Sequence, residues 1–154
     1  MKRHTKNPYT SQQYNAKLAS DSPAPEQVKI GWLGDSLDVL RRFPKDIRKD
    51  LGIALRRIQL GQMPLDSEPM KTVGSGVYEL REQDERAWYR VFYLKKIASM
   101  VYVLHCFEKR TAQTEKKDID VAKERLKRLL EEQRANTKPK THHPRNQGKR
   151  FGRA

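Results

Sequence analysis

The sequence predicts an α+β domain in which a short N-terminal strand and a helical hairpin pack on an antiparallel β-meander, followed by a C-terminal helix. Three observations carry this. The runs VYELRE (77–82), AWYRVFYLKK (87–96) and ASMVYVLHCFEK (98–109) are rich in aromatic and β-branched residues and are separated only by QDER and by Lys96-Ile97-Ala98. Such connections suit antiparallel hairpins and are too short for parallel crossovers. Ile47, Leu51, Ala54, Leu55 and Ile58 recur on one helical stripe, as do Ile119, Ala122, Leu126 and Leu129 further on.

Taken in order, VKIGWLG (28–34) is a short strand ending at Gly34, with Asp35 or Ser36 placed to cap a helix through a side-chain oxygen. Leu37, Leu40 and Phe43 keep helical spacing up to Pro44, and the second helix of the hairpin stops at Gly61. Arg48, Lys49, Arg56 and Arg57 lie off its apolar stripe, which gives the hairpin a basic outer surface. The segment GQMPLDSEPMKTVGSG is full of breakers and reads as a loop. A helix begins near Thr114, with Glu115 favourable at its positive end. Strict alternation along the third meander strand puts Val101, Val103, His105, Phe107 and Lys109 on one face, and Met100, Tyr102, Leu104 and Cys106 on the other.

Length allows one domain with tails: a polar extension over 1–27, a folded unit over 28–132 and a basic tail over 133–154. The tail holds seven cations and no acid, and the extension has few apolar residues, so both are expected to be disordered. With 33 Lys and Arg against 19 Asp and Glu, a formal +14, the natural partner is a polyanion, nucleic acid first. No apolar run could span a bilayer and MKRHTKNPYT is no signal peptide, so a cytoplasmic protein without membrane contact is expected. The single cysteine, Cys106, excludes an internal disulfide and reads as a small buried residue. His142-His143 lacks ligands at metal spacing, and VGSGVY precedes a strand where a phosphate loop would precede a helix. Neither metal nor cofactor is expected.

The chemistry-bearing residues gather on the meander. Arg81 ends its first strand, Arg90 sits in the second, and His105, Lys109 and Arg110 end the third. Cutting RNA without a metal requires proton transfer and cations around a phosphorane, which histidine and arginine can supply. Trp88 and Phe107 are candidate stacking plates for an unpaired base, and Lys71, in the preceding loop, a candidate RNA contact. Each has a plainer reading: a strand histidine that is structural, arginines paired with Glu79, Glu82 or Asp84, a core Phe107, and solvated charge at Lys109-Arg110. An arginine on an open sheet face is expected to supply little core packing.

VYELRE, AWYRVFY, VYVLHCFEKRT and DVAKERL, in this order, resemble the HigB-like toxins of the RelE/ParE superfamily, in particular the phage-derived branch. The branch has a Y-E-L-R strand, a Y-R-V strand, an L-H-x-F-x-K-[KR]-T strand end and a helix containing A-x-x-R. The likeness covers about residues 28–130. It implies a RelE-like, microbial-ribonuclease-like fold and a toxin that cuts mRNA in the ribosomal A site. It also implies an antitoxin partner of helix-turn-helix, HigA-like type, through which alone operator DNA would be bound. By matched position, Arg81 and Arg90 correspond to the basic residues of the first two meander strands, Lys109 and Arg110 to the cationic end of the third, and His105 to the branch's histidine. The chain departs from the broader pattern at Glu79, where RelE has a lysine, and in having no tyrosine between Arg110 and the last helix. Two other functions fit the same residues: a ParE-like topoisomerase poison without nuclease activity, and a non-catalytic RNA-binding module. A convergent cation cluster favours cleavage.

Overall fold

The computed structural model of the chain describes residues 27–64, 66–97, 99–111 and 113–138. Its elements run β1 (Lys29–Trp32), α1 (Ser36–Arg42), α2 (Lys45–Gln59), β2 (Ser67–Pro69), β3 (Val77–Gln83), β4 (Trp88–Ile97), β5 (Met100–Lys109) and α3 (Lys116–Thr137). The α+β class, the hairpin, the meander and the last helix are as the sequence predicts. β2 falls in the breaker-rich loop: Ser67–Pro69 pairs antiparallel with β3, a three-residue edge too short to carry its own periodicity. α3 continues past residue 132 to Thr137, so the first residues of the expected tail are helical. The expectations for residues 1–26 and for the tail from 139 onward fall outside the described residues.

The five strands lie in the order β1-β5-β4-β3-β2, with β1 parallel to β5 and every other pair antiparallel. This is a RelE-like sheet. Two cores sandwich it. On one side α1 and α2 bring Phe43, Ile47, Leu51, Leu55 and Ile58 down onto Leu80, Tyr89, Val91, Tyr93, Val101, Val103 and Cys106. On the other, Ala122, Leu126 and Leu129 of α3 cover Val77, Phe92, Leu94, Leu104 and Phe107. Large aliphatic side chains buried this completely contribute about 1.5–3 kcal/mol each.

β5 does not alternate strictly. Tyr93 pairs with Val103 and Phe92 with His105, so Leu104 is an extra residue, a bulge in the β4–β5 ladder. Val101 and Val103 therefore face the helical hairpin, while His105, Phe107 and Lys109 face the α3 side together with Trp88, Arg90 and Phe92, their partners on β4. The grouping expected from strict alternation is corrected at both ends: Cys106 joins the hairpin core, and Leu104 and Tyr102 join the core under α3.

The bulge is held from two directions. Arg125 Nη1 donates to the carbonyl of Leu104 at 2.9 Å, satisfying the acceptor of the extra residue. Val103 O accepts from Leu33 N at 3.0 Å and from Ser36 Oγ at 3.4 Å. Neither Asp35 nor Ser36 caps α1 through its side chain, since both are engaged here: Asp35 Oδ1 receives Arg125 Nη2 at 2.7 Å. Gly34, at φ 56°, makes room for this, because a Cβ there would lie 2.5 Å from the Arg125 guanidinium.

Candidate functional site

The bulge brings the predicted cations of three strands onto one end of the α3-side face. Arg81 and Arg90 are direct cross-strand partners, and Trp88 pairs with Lys109. Like charges opposite one another repel, and Glu79 resolves this. Its carboxylate is 3 % exposed and meets Arg81 Nε at 3.1 Å through Oε2 and Arg90 Nε at 3.1 Å through Oε1. The second contact is a charge contact without hydrogen-bond alignment, so Glu79 Oε1 and Arg90 Nε lack a geometric hydrogen-bond partner among the described residues. Arg81 Nη2 reaches across to Glu68 Oε2 on β2 at 2.6 Å. The edge strand missed in the sequence thus supplies the outermost carboxylate.

Arg90 is 9 % exposed. That overturns the expectation of an arginine with little packing. Burial works to lower its pKa, with the neighbouring Arg81 adding to this against the pull of Glu79. Lys109 lies at the far side of the cluster, its Nζ 3.3 Å from Thr114 Oγ1 in the loop before α3. Its ammonium pKa is lowered, first by burial and then by repulsion from Arg90. For Arg81, burial is outweighed by Glu79 and Glu68, which hold its pKa above the ordinary value. A cleft of roughly 350 Å³ opens over Arg81, Gln83, Trp88 and Arg90, with Asp66 and Glu82 on its rim. Guanidiniums and an indole thus line one cleft, groups whose chemistry suits phosphate oxygens and unpaired bases respectively.

His105 sits deeper, toward α3, and is held at both ring nitrogens. Nε2 lies 2.9 Å from Asp118 Oδ1, and Nδ1 lies 3.4 Å from Arg125 Nη1. Arginine can only donate, which makes Nδ1 the acceptor and assigns the proton of the neutral ring to Nε2, donated to Asp118. The ring stacks on Phe107 at 5.2 Å between centroids, and Phe107 meets Phe92 edge-on. Phe107 is therefore a core residue, 5 % exposed, and offers no open plate to a base. Two further predicted residues stand apart from the cluster. Lys71 is exposed in the turn after β2, beside Gly74, Gly76 and Tyr78 at the opposite end of β3. Arg110 projects beyond β5, with an 82 % exposed side chain whose carboxylate neighbour is Glu108 at 3.7 Å.

Asp118 and Arg125 were not singled out as site residues, although the sequence carries a signal for each. Asp118 stands four residues before Ala122 on the apolar stripe of α3, and an acid on a buried stripe needs a partner. Arg125 is the arginine of the A-x-x-R pattern, and its work is to clamp the bulge. Cys106 is buried as expected, and burial pushes its thiol up to about 12, which leaves it inert. The described residues contain no cluster of His, Cys, Asp and Glu fit to hold a metal ion. None of their helices is long and apolar enough to cross a membrane.

A profile of the family described as Phage derived protein Gp49-like matches residues 38–127, more than half of the chain. The chain belongs to this Gp49-like family. The family lies within the RelE/HigB-like toxin superfamily, which fits a toxin-antitoxin toxin and implies an antitoxin partner. The matched span runs from within α1 into α3 and so contains Val103, Leu104 and Arg125 of the bulge clamp, whose other members, Leu33 to Ser36, lie just before it, and all of the cation cluster. No curated protein matches the chain.

Proposed function

We propose that this Gp49-like chain is the toxin of a type II toxin–antitoxin system and acts, in the HigB-like manner, as an endoribonuclease on ribosome-bound mRNA. The observation that carries the reading is the convergence of Arg81, Arg90 and Lys109 beside Trp88 on adjacent strands, with a cleft opening over Arg81, Trp88 and Arg90. Attack of a ribose 2′-hydroxyl on the adjacent phosphate, with its proton passing to water, builds negative charge on a phosphorane before the P–O5′ bond breaks and the 5′-oxygen takes a proton from water. Fixed cations stabilise that charge more than the ground state. In this reading Arg81 and Arg90 hold the scissile phosphate, Lys109 faces the charge on the leaving side, and Trp88 stacks on an unpaired base. No metal is needed. His105, engaged at both nitrogens, positions β5 and α3 and is not the proton carrier. The partner is a helix-turn-helix antitoxin of HigA-like type, operator DNA is bound only through it, and the toxin works in the cytoplasm.

Primer extension on mRNA from programmed ribosomes tests this. Wild type should cut at A-site positions, and Arg81→Ala should slow the cut by on the order of 10²–10³. Arg81 is the informative position because its side chain is 41 % exposed and its loss strips the least from the core.

A second reading is favoured by one specific observation. Glu79 already engages both arginines, and His105 is spoken for, so these groups also make sense as a structural network in a topoisomerase poison that cuts nothing. Intact mRNA on programmed ribosomes, together with accumulation of cleaved DNA–gyrase complexes in arrested cells, would establish that alternative.

A further inference from the structure

The charged ribbon on the α3-side face is nearly self-neutralised. Arg81, Arg90 and Lys109 stand among Glu68, Glu79 and Asp118, so this end of the sheet contributes little long-range attraction for a polyanion. The excess positive charge of the described residues lies elsewhere, most densely on α2. Ile47, Leu51, Leu55 and Ile58 fix the buried side of that helix. Lys45, Lys49, Gly52 and Arg56 follow one another at four-, three- and four-residue spacing on its outer side, all exposed. Together they form one stripe about 16 Å long. Arg48 borders it on one flank, Asp46 and Asp50 on the other. No ion pair engages Lys45, Lys49 or Arg56 among the described residues.

Gly52 has no explanation within the fold. It sits in the middle of a 15-residue helix, where glycine is the poorest residue short of proline. Among the described residues nothing lies within 4 Å of the place a Cβ would occupy, so an alanine would fit and would strengthen the helix. A gap that none of the described residues fills, bracketed by cations on the same stripe, is suited to something approaching from outside. We propose that the outer face of α2 is a second polyanion-binding surface, distinct from the cation cluster on the sheet, and that it seats the sugar-phosphate backbone of folded RNA. A phosphate strand lying along Lys45, Lys49 and Arg56 comes closest to the helix at Gly52, where no side chain holds it off. The choice of RNA over another polyanion rests on the proposed ribosomal site of action. Affinity is then supplied by α2 and chemistry by the opposite side of the sheet.

The test is binding of the full chain to a fluorescein-labelled RNA duplex by anisotropy across a potassium chloride series, with thermal melts alongside. Each neutralised phosphate contributes about 0.9 to the slope of log K against log salt. The triple variant Lys45→Ala/Lys49→Ala/Arg56→Ala should therefore lose roughly two to three from that slope and bind more than tenfold more weakly at low salt. Gly52→Leu is the sharper variant, since it should hold or raise the melting temperature while weakening RNA binding several-fold. A wild-type slope in the triple variant overturns the proposal, as does wild-type affinity in Gly52→Leu. Neither measurement involves cleavage, so a chain that leaves mRNA intact on the ribosome still decides this point.

Discussion

The two faces of the sheet are made from the same strands and solve opposite problems. The hairpin face joins Leu80, Tyr89, Val91, Tyr93, Val101 and Val103 to α1 and α2 by apolar contact almost alone. The α3 face begins in the same way under Leu126 and Leu129, then gives way to Glu79, Arg81, Arg90, Lys109 and the His105–Asp118 pair. An apolar face tolerates many partners of the right volume, whereas a buried charged one must close every contact or pay desolvation in full. The charged end is therefore more specific and less forgiving. The difference also separates roles, since groups buried this expensively without enlarging the core are candidates for function.

Removing the central carboxylate should expose that difference most strongly. Glu79→Gln leaves Arg90 buried without its counter-charge and should cost about 3–5 kcal/mol in urea unfolding. The double variant Glu79→Gln/Arg90→Met should recover much of it, since an uncharged pair of similar bulk leaves no unpaired charge to desolvate between them. Leu51→Ala on the hairpin face, at about 2–5 kcal/mol, has no polar partner whose removal could compensate. Failure of the double variant to regain stability would mean that the ribbon is held by something other than this ion pair.

His105→Gln comes next. It removes a ring that stacks on Phe107, donates to Asp118 and accepts from Arg125, and should cost about 1–3 kcal/mol. Cleavage by the folded variant, assayed well below its melting point, should stay within a few-fold of wild type. Abolished cleavage with an undisturbed melt would return His105 to the chemistry.

The smallest effect concerns the outer end of the bulge clamp. The hydrogen bond from Arg125 is the main reason that the Asp35 carboxyl titrates below its ordinary value. A depressed native pKa means that the stabilisation is present above the unfolded value, near 3.9, and is lost as pH falls through the native one. Asp35 is 60 % exposed, so the contact is screened, and Asp35→Asn should lower stability at neutral pH by only about 0.5 kcal/mol. Melts of the two proteins should converge once the wild-type Asp35 carboxylate is protonated. A gap that persists unchanged in acid would assign the effect to packing against Gly34.

Much of the architecture was legible because it is written locally. Strand and helix periods, the connections between strands and the break at Pro44 are properties of neighbouring residues, and they yielded the hairpin, the meander and α3. Arg81, Arg90, Lys109 and Trp88 were legible as candidates for the same reason. Residue type and strand end sufficed to select them.

The sequence by itself determined an α+β fold, a basic surface and the strands on which the cations lie. Only the tertiary structure decided which face those cations share. Alternation along β5 is a local rule, and one extra residue at Leu104 reverses it for His105, Phe107 and Lys109. Whether that residue is extra depends on Arg125, some twenty positions later in α3, which satisfies the carbonyl the bulge leaves without a ladder partner. The same holds for Phe107, whose burial depends on Phe92 and α3, and for Glu79, whose two arginines come from the register of β3 against β4. Register and bulge position are set by the energy of the whole assembled sheet, and no window of sequence contains that sum.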